Sequence, residues 1–102
     1  MNQAQLMAQV KKMQAEMAKA QEELAATVVT GSAAGGSVTV DVTCDQTLKR
    51  VKIAKEAVDP QDVETLEDLV LVAVNDALRK ANDASQKRMA SVTGGVRVPG
   101  LM

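Results

Sequence analysis

The chain has no Phe, Tyr or Trp, no His, and a single cysteine, Cys44. Each absence removes a class of chemistry. A structural or catalytic zinc site needs about four N, S or O ligands, so only a carboxylate-rich site for a hard cation could be assembled. Cys44 lacks the imidazole that would activate it as a nucleophile, and no intrachain disulfide is possible. No general acid–base constellation can be built, so neither a catalytic residue nor a cofactor or small-molecule substrate is expected. Without aromatic platforms, the stacking mode of single-strand nucleic-acid readers is closed. The longest apolar run, residues 69–74, falls far short of a membrane span. No charged leader followed by an apolar stretch opens the chain, which is expected to be cytoplasmic with no membrane partner.

What remains is 102 residues, 46% of them apolar, which suits one small ordered domain. Sixteen of the apolar residues are Ala and fifteen are Val. A core of such small side chains buries little per residue in a chain this short. The folded unit is therefore expected to be an oligomer.

Residues 4–25 read as a helix. Leu6, Val10, Met13, Met17, Ala20 and Leu24 recur at alternating spacings of four and three, a narrow seam of coiled-coil type. Residues 26–54 read as three strands. The first covers 26–30 and the second 37–44, with residues 31–36 as the turn between them. In the second strand Val38, Val40, Val42 and Cys44 alternate with Ser37, Thr39, Asp41 and Thr43, so one face is buried and one is wet. In the third, Val51 and Ile53 share a face and Arg50 and Lys52 point the other way. Short connections make the three an antiparallel meander. Residues 60–89 read as a long helix with Asp59 as N-cap and Pro60 at its first position. Its apolar stripe is widest around Leu69, Val72 and Val74 and thins to alanine, as if its end leaves the core. Residues 90–102 read as a tail, punctuated by Gly94-Gly95 and Pro99-Gly100.

The expected fold is α+β: helix, three-stranded meander, long helix. The middle of the second helix lids the sheet, and the seam of the first packs across a two-fold axis. Leu6, Val10, Met13, Met17 and Leu24 are thus the candidate homodimer interface.

A formal charge of -1 hides strong segregation. Residues 1–21 sum to +2 and residues 22–48 to -4. Residues 49–55 hold four bases and no acid. Residues 56–78 hold seven acids and no base, and residues 79–102 sum to +4. On the second helix, acids first and bases last complement the helix dipole. The first helix does not follow that rule, because Glu22 and Glu23 sit at its C-terminal end. Cross-helix pairing or a polyanionic partner would account for their placement. Basic residues on two helices point to phosphate contacts, which an acidic chain of pI ≈ 5.3 can make only through local patches. Gln5 and Gln9 read as solvated helix residues, so little base-specific reading is expected. The 31–36 glycine segment lacks the Gly-Lys-Ser/Thr of a phosphate-binding loop. Asp45 and the Asp59, Asp62 and Glu64 group read as turn and cap residues, and Cys44 as a buried thiol.

With these pieces in order, the chain resembles the YbaB/EbfC family of bacterial nucleoid-associated proteins. Gln5-Leu-Met-Ala-Gln-Val-Lys-Lys-Met-Gln-Ala-Glu-Met17 resembles its opening helix, and Gln21-Glu-Glu-Leu-Ala25 and Val29-Thr-Gly31 follow in family order. Leu66-Glu-Asp-Leu-Val70 with Asn75-Asp-Ala77 is similar to the core of its long helix. Met89-Ala-Ser-Val-Thr-Gly-Gly95 is similar to its closing segment. The resemblance implies a tweezer-like α+β homodimer without catalytic activity. It implies binding of double-stranded DNA in the nucleoid, with effects on DNA conformation, nucleoid organisation or gene expression. It places DNA contact on the first and last helices, hence on Lys11, Lys12, Lys19, Arg79, Lys80, Lys87 and Arg88. The competing reading is a small acidic dimeric interaction module, a chaperone or adaptor, suggested by the low pI and the methionines of the seam.

Overall fold

A computed structural model describes residues 2–92 of the chain. Helix α1 spans Gln3–Ala26, strands β1, β2 and β3 span Val28–Ala33, Val38–Thr43 and Leu48–Ile53, and helix α2 spans Val63–Val92. The strands form one antiparallel sheet in the order β1-β2-β3. The tail residues from 93 onward, Gly94-Gly95 and Pro99-Gly100 included, lie outside the described residues. Residues 90–92, expected in the tail, continue α2.

Helix α1 starts on a capping box. The Gln5 N–H donates to Asn2 Oδ1 at 2.8 Å and the Asn2 N–H donates to Gln5 Oε1 at 3.3 Å, satisfying two donors that a helix start otherwise leaves unpaired. At its other end, the Cys44 N–H is shared between the Leu24 and Thr27 carbonyls at 3.0 and 2.9 Å. That bond ties the end of β2 to the end of α1. Val38, Val40 and Val42 are fully buried and Cys44 nearly so, as the alternation predicts.

Other boundaries differ from expectation: the first strand starts at Val28 rather than at residue 26, which closes α1 instead. β1 runs on through Gly31, Ser32 and Ala33, where a turn is expected, pairing Gly31 with Val40 and Ala33 with Val38. The turn is confined to Ala34, Gly35 and Gly36, all with positive φ. Helix α2 begins at Val63 rather than at residue 60. Asp59 caps a preceding turn instead, its Oδ1 accepting from the Gln61 N–H at 2.9 Å. Asp62 holds the helix start, accepting from the Thr65 hydroxyl at 2.6 Å.

The alanine-rich part of α2 is the core rather than an exit from it. Ala73, Ala77 and Ala81 are fully buried, while Leu71 and Val72 face solvent. Gly31 explains the reversal. A Cβ at residue 31 would sit 2.5 Å from the Ala73 carbonyl oxygen and 2.7 Å from the Ala77 Cα. Helix and strand backbones touch here, and only hydrogen and methyl side chains fit between them.

Helix α2 crosses β1 and β2 and barely reaches β3. Val51 and Ile53 do lie on the face shared with Val40 and Val38, their register partners. Yet they remain 47% and 38% exposed, because nothing among the described residues covers that third of the sheet. The molecule measures 70 × 28 × 16 Å with a radius of gyration of 19.5 Å. A compact chain of this length has a radius of about 13 Å.

Candidate nucleic-acid interface

The length comes from an arm made of α1 and the distal end of α2. Near its root the seam of α1 is closed by its own chain: Ala20 is fully buried and Leu24 is 4% exposed. Leu24 is therefore covered within the protomer rather than left open for a partner. Cover then falls away towards the N-terminus, with Met13 half-buried and Met17, Val10 and Leu6 increasingly open beside Val92. Among the described residues the seam is thus closed by its own chain at its C-terminal end and meets only Val92 towards its N-terminal end.

The arm is fixed by an ion pair between its two helices. Arg88 Nε donates to Glu23 Oε2 at 2.7 Å, and Arg88 Nη1 donates to the Ser91 hydroxyl at 3.1 Å. The Arg88 hydrogen bond chiefly, helped by the nearby Arg88 and Lys19 charges, holds the Glu23 carboxyl below the usual range against the opposing effect of desolvation. The same bond raises the affinity of Arg88 for its proton. The placement of Glu23 against the dipole of α1 is thereby explained by cross-helix pairing.

Five of the seven candidate bases gather on this arm. Lys12 and Lys19, seven residues apart, share one face of α1 about 10 Å apart, with Lys11 on the adjoining flank. Lys19 borders a cleft with Glu16, Arg88, Ser91 and Val92. Among the described residues Lys11, Lys12, Lys19 and Lys87 make no ion pair.

Arg79 and Lys80 lie elsewhere, at the free edge of β1. The Asp76 carboxylate accepts from the Ser32 N–H at 3.0 Å and pairs with Arg79 at 2.5 Å and Lys80 at 3.3 Å. Lys80 Nζ also donates to the Thr30 carbonyl at 3.0 Å. The Ser32 hydrogen bond chiefly, then Lys80 and Arg79, holds the Asp76 carboxyl below the usual range despite partial desolvation. Helix α2 thus supplies a donor and an acceptor to a strand edge that would otherwise be open to another chain. Nothing in the sequence around Asp76 marks that role, which depends on a contact 44 residues away.

The densest basic run falls outside the candidate set. Lys49, Arg50 and Lys52 lie on β3, with Lys55 just beyond it; all four are exposed and none forms an ion pair among the described residues. Cys44 is buried, with its thiol pushed up by desolvation and by the Asp45 charge. Among the described residues no three acidic, His or Cys side chains are placed to hold a metal ion, and no helix is long and apolar enough to cross a membrane.

An arm of two helices on a lidded three-stranded sheet, with bases on the arm, defines an α+β protein with an exposed basic helical arm. The model of the YbaB/EbfC DNA-binding family matches residues 1–96, and the chain belongs to that family. It is 50% identical over 97 residues to a nucleoid-associated protein of Chloroflexus aurantiacus, covering 95% of this chain and 97% of that one. A nucleoid-associated protein of Bacillus thuringiensis is 49% identical over 87 residues, covering 85% and 80% of the two chains. The fold is also that of an uncharacterized protein from Helicobacter pylori known from its crystal structure. The TM-score is 0.75 at 23% identity, over 89% of this chain and 95% of that one.

Proposed function

We propose that the chain is a nucleoid-associated protein that binds double-stranded DNA as a homodimer, gripping the phosphate backbone with the bases of its helices. The observation that carries the reading is the arm itself. Lys11, Lys12, Lys19 and Lys87 project from it with no ion pair among the described residues, and Arg88 shares the arm with them in a pair with Glu23. Arg79 and Lys80 complete the contact set from the β1 edge, Arg79 being the more exposed of the two. Contacts of this kind position a protein on a duplex and carry little sequence information. The consequence is a change in DNA conformation, and hence in nucleoid organisation or gene expression, at many sites rather than one.

Two apolar surfaces remain for the second protomer. One is the open part of the α1 seam: Leu6, Val10, Met13 and Met17. The other is the uncovered inner face of β3, carrying Leu48, Val51 and Ile53, beside the flank of α2 that bears Val63 and Leu71. That flank faces β3 because Asp76 and Lys80 turn the opposite flank to β1. The second surface continues the buried Val38, Val40 and Val42 row, so it forms the two-fold body in this reading, and the seam flanks it.

The test is charge reversal. Substituting Lys11, Lys12, Lys19 and Lys87, none of them ion-paired among the described residues, with Glu abolishes duplex binding in a gel-shift assay and leaves a folded dimer. Binding that survives the four substitutions refutes the site. A co-purifying protein together with no duplex binding by the parent chain favours the interaction-module reading.

A further inference from the structure

We infer that the outer face of β3 is a second phosphate-binding surface, distinct from the helical arm, that takes the backbone of the same duplex. The inference rests on the DNA-binding reading above and extends it to residues outside the helices.

The strand carries two chemistries on two faces. Val51 and Ile53 pair in register with Val40 and Val38 on the inner face. Arg50 and Lys52 pair with Asp41 and Thr39 and so stand on the outer face, away from α2. Successive residues on one face of a strand are about 6.8 Å apart. Lys49 is the extra residue where the register shifts between Asp41 and Val42, and Lys55 follows in the turn beyond the strand. Every residue of β3 is exposed, and none of the four bases forms an ion pair among the described residues.

The acids nearest in register and sequence leave these charges standing. Asp41 faces Arg50 across the ladder, but its Oδ1 accepts the Thr30 hydroxyl at 2.7 Å and it forms no ion pair among the described residues. Glu56 follows Lys55 in the same turn. The seven acids of residues 56–78 lie on the segment that leads into α2 and on α2 itself. Three of the helix bases are different: Arg88 on the arm is already paired with Glu23, and Arg79 and Lys80 at the β1 edge with Asp76. Residues 49–55 are thus the densest uncompensated positive charge in the chain.

The outer face holds the Thr39 hydroxyl beside Lys52, and Val28 is its one exposed large apolar residue. Cations and hydroxyl donors without an apolar anchor suit a polyanion rather than a folded protein surface, whose interfaces centre on buried apolar or aromatic residues. Bases on an edge strand can also serve only to repel strand addition by another chain. The two roles part on salt dependence.

The experiment measures duplex binding by fluorescence anisotropy from about 50 to 200 mM salt for the full chain, with oligomeric mass and circular dichroism alongside. Each lost phosphate contact flattens the log–log slope by about 0.9, so Arg50→Gln with Lys52→Gln, acting in both protomers, flattens it by about 3 to 4. Arg50→Lys keeps the parent slope. Lys55→Gln, which cannot disturb strand pairing, flattens it by about 2 on its own. A parent-like slope in the Gln variants overturns the inference while leaving arm-mediated binding intact. The same result with a raised oligomeric mass assigns the bases to edge protection instead. A parent chain that binds no duplex at low salt overturns the DNA reading as a whole, which is a different outcome.

Discussion

The Ser32 N–H donates to the Asp76 carboxylate at 3.0 Å, and one helical turn further along α2 the Lys80 ammonium donates to the Thr30 carbonyl. Together they give β1 what a fourth strand would give it, a donor and an acceptor along its free edge. Asp76→Ala therefore opens that edge, leaving Lys80 and Arg79 without their acid. The variant is expected to melt at lower temperature than the parent and to self-associate in a concentration-dependent way. Thermal scans at several concentrations check both effects.

Acid sensitivity follows from the same pair and from Glu23. Both carboxyls are held below their ordinary values in the fold, Asp76 chiefly by the Ser32 hydrogen bond and Glu23 chiefly by that of Arg88. A group with a lowered folded pKa stabilises the fold above its unfolded value, and loses that effect as pH falls through the folded one. Stability is therefore level above about pH 5 and declines below about pH 4. Asp76→Asn shows a lower midpoint at neutral pH and a shallower acid decline. Melting curves taken across that range decide it, and an acid decline as steep as the parent's would contradict the assignment.

Freeing Arg88 separates the structural from the binding role of the arm. Glu23→Gln removes the acid that Arg88 faces at 2.7 Å and leaves the guanidinium beside Lys19 and Lys87. The arm loosens, and the proposed dimer gains up to about two phosphate contacts, steepening the salt slope by about 2. An unchanged slope would show that Arg88 does not reach the duplex.

Gly31 is the tightest point of the core. Gly31→Ala drives a methyl against the Ala73 carbonyl and the Ala77 Cα, an overpacking that costs about 1–3 kcal/mol or more. In a domain of this size each kcal/mol moves the midpoint by about 4–8 °C. Because the opposing atoms are backbone, Ala77→Gly does not restore stability. Chemical denaturation of the single and double variants tests this, and rescue by Ala77→Gly would contradict the backbone contact. The β2–β3 turn offers the opposite sign. Gln46 has φ of 73°, a conformation that costs a non-glycine residue about 1–2 kcal/mol. Gln46→Gly, offset by glycine's larger chain entropy, is expected to stabilise by about 0.5–1 kcal/mol.

The legible parts of this fold are those set by local pattern. The alternation of Val38, Val40 and Val42 announces a half-buried strand, and the seam from Leu6 to Leu24 announces a helix. The element order follows from short connections. What pattern does not carry is distance between elements. Gly31 and Ala33 read as turn chemistry in sequence, yet they are strand residues placed so that α2 can lie on them. Ala77 and Ala81 look like a fading stripe until the closeness of that approach is known. Of the candidate site, the arm bases were visible as charge segregation. Their division was legible only in part: Arg79 and Lys80 follow Asp76 by three and four residues, the spacing of helix ion pairs, whereas Arg88 is drawn to Glu23 and Asp76 to Ser32 by contacts that no spacing encodes. The bases of residues 49–55 were visible as a run, but only the sheet register sets Arg50 and Lys52 on the outer face.

The central claim is that an acidic dimer holds a duplex through separated positive surfaces, and the salt dependence of binding tests it most directly. Duplex affinity is measured across a salt series with the mass of the protein determined at each step. A dimer neutralising about six phosphates or more gives a log–log slope of about -5 or steeper, and replacing Lys11, Lys12, Lys19 and Lys87 with Gln flattens it. A monomer, or a parent slope near zero that those substitutions leave unchanged, would contradict the account.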